Sequence, residues 1–418
     1  MKNYILKHKD INVLKFSFND KYEIDKIIEI YNNAHKPVNM LHNEVLSDTD
    51  ALNDWWTHRT IPASRDKLEE NLKKLNVETT KELLQKSYAL SLTDHYWIMP
   101  EDKNITWHKI NYYENDFSED VGKILFDNTY NIKDVNTFSP DNSSDGNLKK
   151  KWSIEKDGTR VLIKGGDIYS PQESYNEVIA AELCLRLGIN HAKYTILNDD
   201  AKKVFYSKSP NYTTDKLEFI NANHIITSFN DVDTDKYNHF IDCCKTFGLE
   251  RKLYEEDLNK MFLVDFIIAN KDRHYRNFGF LRDSETLEWK GLAPVYDSGN
   301  SLFEGLADVD LENEYFLDSR NIEAKPFAEN QFSQFSLLPL KKYCKNLPFN
   351  KLEDFSSWCQ KLLSSNYRLS EKRKDLICSV LDRRIELTRR LILQGKDDLS
   401  DNNTKKHMKK QSDYDYDR

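Results

Sequence analysis

The chain has 418 residues, enough for two or three subdomains that each bury a core. Hydrophobic residues make up 39% and charged residues 31%, with a mean hydropathy of −0.74; this excludes a disordered chain, and no apolar run approaches the roughly 20 residues of a membrane span. The 61 Lys and Arg against 69 Asp and Glu give a net charge of −8, so direct nucleic-acid binding is not expected beyond local basic patches.

Met1-Lys2-Asn3-Tyr4 does not begin a signal peptide, and the expected location is cytoplasmic. The six cysteines form no C-x-x-C pair and fall mostly inside helical patterns, which predicts buried, reduced thiols and no metal-thiolate site.

Residues 1–135 mix helical and strand patterns and are expected to form an α/β subdomain of their own. Asp20 precedes Ile24, Ile27, Ile28 and Tyr31, a spacing that predicts a helix. Ser64 is placed to cap a second helix with Leu68, Leu72 and Leu75, and Thr79-x-x-Glu82 is a capping box. Trp55-Trp56, Tyr96-Trp97, Trp107 and Tyr112-Tyr113 read as core rather than as a recognition surface. No catalytic motif stands out in this region.

Ser139 to Asn147 is a turn-rich break, and β-patterning follows it over residues 136–210. Trp152–Ile154 and Thr159–Lys164 predict two strands joined at Lys156-Asp157-Gly158. Ser170-Pro171-Gln172-Glu173 combines a cap, an N1 proline and a capping glutamate, so a helix is expected from there to Gly188. Two further strands are expected around His191–Leu197 and Lys203–Tyr206. A strand ending in Lys164, followed by a helix with glutamates, is the order in which a kinase amino-terminal lobe supplies its lysine and acidic partner. Glu177 is the favoured partner, with Glu173 and Glu182 as rivals. Gly165-Gly166 beside Lys164 suggests a ligand in close approach, although a strand-end lysine can also be a surface residue.

Residues 211–395 are expected to be mainly helical, and residues 396–418 a disordered tail. Asp257 is placed to cap a buried helix from Leu258 to Ala269 that delivers Asp272 off its end. Phe278–Leu281 and Leu287–Trp289 flank a turn-rich Arg282–Thr286, which predicts a hairpin returning Asp297 beside Asn277. Near the carboxyl terminus Leu376, Ile377, Val380, Leu381 and Ile385 form one apolar helix face, with Arg383, Arg384, Arg389 and Arg390 expected mostly on the others.

Asp272, Asn277 and Asp297 are the residue types a phosphoryl-transfer site requires: an acid to orient a hydroxyl and two oxygen ligands for Mg²⁺. His274 fits a scaffold for the loop better than a proton shuttle. Arg273 suits phosphate stabilisation and pairing with an acid equally well.

The run Asn270-Lys271-Asp272-Arg273-His274-Tyr275-Arg276-Asn277-Phe278-Gly279, with Ala293-Pro294-Val295-Tyr296-Asp297, resembles the signature of HipA-like serine/threonine kinases, the toxin-type kinases of bacteria. The resemblance takes in Asp145–Trp152, Val161–Gly166 and Asn176-Glu177, and covers about residues 139–390. It implies an α+β bilobal protein-kinase-like fold, with a small β-rich N-lobe at 136–210 and a helical C-lobe at 211–395. It implies ATP and Mg²⁺ as cofactors, Asp272 as catalytic aspartate, Asn277 and Asp297 as metal ligands, and Lys164 on the nucleotide phosphates. Ser143-Ser144-Asp145-Gly146 with Lys149 and Lys150 stands where the family has its phosphate-binding loop, which in some members carries an autophosphorylated serine. The single glycine departs from the G-x-G-x-x-G of ordinary protein kinases. A protein substrate with a Ser or Thr acceptor follows, and the family also brings an antitoxin-like regulator into view. A phosphoinositide or small-molecule kinase, and a catalytically dead nucleotide-binding interaction module, are the alternatives.

Overall fold

The computed structural model describes residues 2–393 apart from 128, 147, 166–170 and 233–234. The expected cap at Ser170, the close approach at Gly166 and the tail from residue 396 lie outside the described residues. The described residues form a mixed α/β structure with three small antiparallel sheets.

In the amino-terminal part β1 (Asn3–His8), β2 (Ile11–Phe18), β3 (Ile24–Ile30) and β4 (Tyr96–Pro100) form a sheet in the order β3-β2-β1-β4. Helices α1 (Asp48–His58), α2 (Leu68–Lys74), α3 (Thr80–Lys86), α4 (Trp107–Ile110) and α5 (Asp120–Phe126) belong to the same part, and α1 packs on the sheet edge at β3. The helix expected after Asp20 is the edge strand β3, paired with β2 from Ile24↔Phe18 to Leu14↔Ile30. Its β-branched isoleucines favour extended backbone, and an apolar spacing over so short a run fits either state. Ser64 does not cap α2, which starts after Lys67 without a side-chain cap. Thr79 does cap α3, accepting from the Glu82 amide at 3.0 Å. Trp55, Trp56, Tyr96, Trp97, Trp107 and Tyr112 are all buried, as core residues should be.

The second sheet contains β5 (Lys150–Ile154), β6 (Arg160–Gly165), β7 (Thr195–Asp199) and β8 (Val204–Pro210), in the order β5-β6-β8-β7. Helix α6 (Glu173–Leu187) packs on it and stops at Gly188, whose φ of +69° is the left-handed conformation a missing Cβ permits.

The remainder comprises β9 (Leu217–Asn221), α7 (Ala222–Ile226), α8 (Lys236–Thr246), α9 (Glu255–Ile267), β10 (Gly279–Asp283), β11 (Trp289–Leu292), α10 (Glu314–Leu317), α11 (Gln331–Leu337), α12 (Leu340–Cys344), α13 (Phe355–Leu363) and α14 (Glu371–Leu393). The expected hairpin is β10–β11, with β9 on its other side. Helix α9 is buried along nearly its whole length and shares one hydrophobic core with α6, α8, α13 and α14. Tyr254, not Asp257, stands at its N-cap; Asp257 lies in the first turn with Glu255 and Glu256, where carboxylates complement the helix dipole.

Arg384 departs from the expected polar face of α14. It is 4% exposed and donates from Nε to the Phe266 and Ile267 carbonyls at 3.0 and 3.1 Å, satisfying the C-terminal end of α9. All six cysteines are buried and unpaired.

Candidate functional site

The loop leaving α9 is organised by Arg273. Its guanidinium is 1% exposed and grips Asp265 on α9 through two bonds of 2.9 and 3.0 Å. The same group donates to the carbonyls of Asn277 (2.7 Å) and Tyr296 and to the Ser298 hydroxyl (3.0 Å). Burial disfavours its charge, and the Asp265 carboxylate outweighs that effect. Of the two roles the sequence left open, Arg273 takes the ion pair, and it ties the loop of Asn277 to the turn of Asp297.

Asp272 is half-buried. Its Oδ1 lies 3.2 Å from the Lys325 ammonium, and His274 Nε2 stands 3.9 Å from Oδ2. Asn277 donates from its side chain to the Asp272 carbonyl at 2.9 Å, which leaves its amide oxygen as a remaining acceptor. His274 accepts from the Arg276 amide at 3.2 Å, a loop-scaffolding contact.

Across the cavity Lys164, on β6, is 7% exposed and lies 3.0 Å from Asp297 Oδ1 and 3.8 Å from Glu177 Oε1. Burial works against all three charges. The carboxylates, Asp297 first, nonetheless hold Lys164 well above the usual lysine range, and Lys164 with Lys150 holds Asp297 well below the carboxylate range. For Glu177 burial prevails and its pKa is raised; its Oε2 accepts the Ser298 amide at 2.8 Å. Asp297 sits at φ +57°, a left-handed conformation that Asp tolerates better than most residues.

The segment at Ser143–Gly146 is anchored from outside. Arg65, 4% exposed, donates to the Ser144 hydroxyl at 3.0 Å and to the Ser144 and Gly146 carbonyls at 2.8 and 2.7 Å. Ser144 also donates to the Asp141 carbonyl at 2.9 Å, and Ser143 to the Leu90 carbonyl at 3.1 Å. Beneath it the fully buried Asp141 accepts the Trp152 amide, and burial pushes its carboxyl up to about 7. Lys150 pairs with Lys164 in the β5–β6 ladder and lines the cavity. Burial and the Lys164 charge push its ammonium down to about 8. Lys149, just before β5, is not among the lining residues, although Leu148 and Lys150 are.

These groups border one cavity of about 730 Å³. Lys164, Ser144, Gly146, Asp272, His274, Asn277 and Asp297 line it, and Glu177 stands behind Lys164. The amino-terminal part completes the wall with Trp55, His58, Arg59 and Asp94. Arg59 and Asp94 form a bidentate pair at 2.5 and 2.7 Å. These residues and Lys325 were missed by the sequence reasoning. They come from separate elements and belong to no local motif. An ionised Asp297 and the amide oxygen of Asn277 form a hard oxygen donor set, which suits Mg²⁺.

Residues 137–334 match the model of the HipA-like C-terminal domain. The serine/threonine-protein kinase CtkA of Helicobacter pylori (strain J99 / ATCC 700824) is 43% identical over 49 residues, 12% of this chain and 15% of that kinase. The crystal structure of an H. pylori proinflammatory kinase CtkA aligns over 57% of this chain and 92% of that one, at 18% identity and a TM-score of 0.45. A chain of the Shewanella oneidensis MR-1 toxin–antitoxin complex of HipA, HipB and operator DNA aligns over 96% of this chain and 100% of its own length. There the TM-score is 0.51 at 12% identity, a likeness of fold.

Proposed function

We propose that this chain is an ATP- and Mg²⁺-dependent kinase that transfers a phosphoryl group to a Ser or Thr hydroxyl of a protein, itself included. The observation that carries this is the convergence of Lys164, Asp297, Asp272 and Asn277 on one cavity, with Glu177 behind the lysine. In this reading residues 136–210 act as the N-lobe and 211–395 as the C-lobe of a bilobal kinase, with residues 1–135 added to the cavity wall.

Asn277 and Asp297 would hold magnesium, which when bound neutralises the charge of the nucleotide phosphates. Lys164 orients those phosphates, and Glu177 keeps the Ser298 amide, and with it the turn of Asp297, in place. Lys150, beside Lys164 in the β5–β6 ladder, and the Ser144–Gly146 segment also meet the phosphates. Asp272 accepts a hydrogen bond from the incoming hydroxyl and aligns it, so catalysis is mainly positioning and charge compensation. The likeness to a toxin–antitoxin HipA and the HipA-like domain support an antitoxin-like protein as regulator.

Incubation with labelled ATP and Mg²⁺ tests the proposal. The wild type should incorporate label into itself or an added protein, and Asp272→Asn should abolish incorporation while still binding nucleotide. Undiminished labelling in Asp272→Asn would exclude the role assigned to it.

A further inference from the structure

The geometry points to a buried transition-metal site, of the zinc class, formed by His8 Nε2, His95 Nδ1 and Glu218 Oε2, which clamps the amino-terminal sheet to the β11-β10-β9 sheet. His8, His95 and Glu218 are each 0% exposed and come from β1, the segment before β4, and β9. The three donor atoms lie within 4.8 Å of one another, with His8 to Glu218 at 3.1 Å and His95 to Glu218 at 3.5 Å.

His95 carries the argument. Its Nε2 lies 2.9 Å from the Thr214 carbonyl, which can only accept, so the ring proton is on Nε2. In the neutral ring Nδ1 is then a bare lone pair. It has no hydrogen-bond partner and faces a carboxylate oxygen. Two lone pairs confront one another unless a cation stands between them. A proton would draw the atoms to about 2.7–2.9 Å, the length of a charge-assisted N–H···O bond, and 3.5 Å is too long for that. Two ligands on a tetrahedral zinc, each about 2.0–2.1 Å from the metal, stand roughly 3.3 Å apart, which matches both separations.

The surroundings agree. His8 Nε2 is also within hydrogen-bond distance of Glu218 Oε2 at 3.1 Å, so metal binding requires the His8 proton to sit on Nδ1, where His35 Nδ1, 2.8 Å away, can accept it. The other oxygen of Glu218 accepts from Arg282 Nε at 2.8 Å, which fixes the carboxylate plane. Two neutral imidazoles and one carboxylate are a borderline donor set favouring zinc over magnesium or calcium, with a fourth position for water.

The test reads metal, not kinase activity, so it stands apart from the proposed phosphoryl transfer. Wild-type protein from zinc-supplemented culture, cleared of loose metal by gel filtration, should contain about one zinc per chain by mass spectrometry. Loading with Co²⁺ should give the visible absorption of a low-symmetry nitrogen–oxygen site. Glu218→Gln and His95→Ala should lose the metal, and circular dichroism establishes whether each remains folded. Folded wild type with less than about a tenth of a metal per chain after zinc and cobalt loading would overturn the inference. So would full zinc retention in both variants.

Discussion

At the scale of single residues, the Asp272 carboxylate has a cationic neighbour that no motif announces. Lys325 reaches it at 3.2 Å from the segment before α11. In the proposed phosphoryl transfer, an ammonium there would hold the acid in place and offset charge developing on the transferred group. Lys325→Ala should lower the single-turnover rate by about tenfold or more and leave nucleotide affinity within about twofold; an unchanged rate would remove Lys325 from the chemistry. Asp141 makes a different prediction. Burial holds its folded-state pKa near 7, above the ordinary carboxylate value of 3.8. Between those values the folded state binds the proton that the unfolded state releases, so stability falls as pH rises through the window. The penalty is complete above pH 7 and on the order of 4 kcal/mol. Asp141→Asn does not titrate and keeps an oxygen for the Trp152 amide. Its melting temperature should therefore gain on the wild type between pH 5 and pH 8, and a constant difference across that range would contradict the assignment.

Elements are held by contacts that local sequence signals only partly describe. The hairpins β5–β6 and β10–β11 and the stop of α6 were legible because turn residues and a C-terminal glycine act within a few positions. The strand β3 was not. Its register comes from pairing with β2, which no spacing inside Ile24–Ile30 encodes. Arg384 was misread for a similar reason: it satisfies the last carbonyls of α9, reaching Phe266 over 118 positions. The guanidinium also donates to Gln331, so one side chain joins α9, α11 and α14. Arg384→Met preserves much of the packing and strands the Phe266 and Ile267 carbonyls. It should cost about 2–4 kcal/mol in urea unfolding. Arg384→Lys should recover only part of this, since an ammonium cannot reproduce the planar fork; equal stability of all three proteins would mean that the carbonyls find other partners.

Across the whole molecule, the candidate site was legible where its residues lie close in sequence and illegible where the fold closes over it. Asp272, Asn277 and Asp297 sit in one short stretch, whereas Arg65 reaches Ser144 over 79 positions and Lys325 reaches Asp272 over 53. The amino-terminal part is thus built into the wall of the cavity and is not an appendage. Arg65 is its strongest point of attachment there, because three of its bonds fix the backbone and hydroxyl of the Ser144–Gly146 segment. Burial without a carboxylate in hydrogen-bond contact pushes the Arg65 guanidinium down to about 10, so its bonds to carbonyl oxygens are what compensate it. Removing the side chain should release the segment and leave Asp272, Asn277 and Lys164 where they are. Arg65→Ala should speed amide exchange in residues 141–150 without speeding it in α9. If the segment meets the nucleotide phosphates, the KM for ATP should rise by about tenfold while kcat stays within about twofold, the pattern of lost ground-state binding. Exchange that is unchanged in 141–150 would show that the anchor is redundant. Faster exchange with an unchanged KM would separate the segment from nucleotide binding.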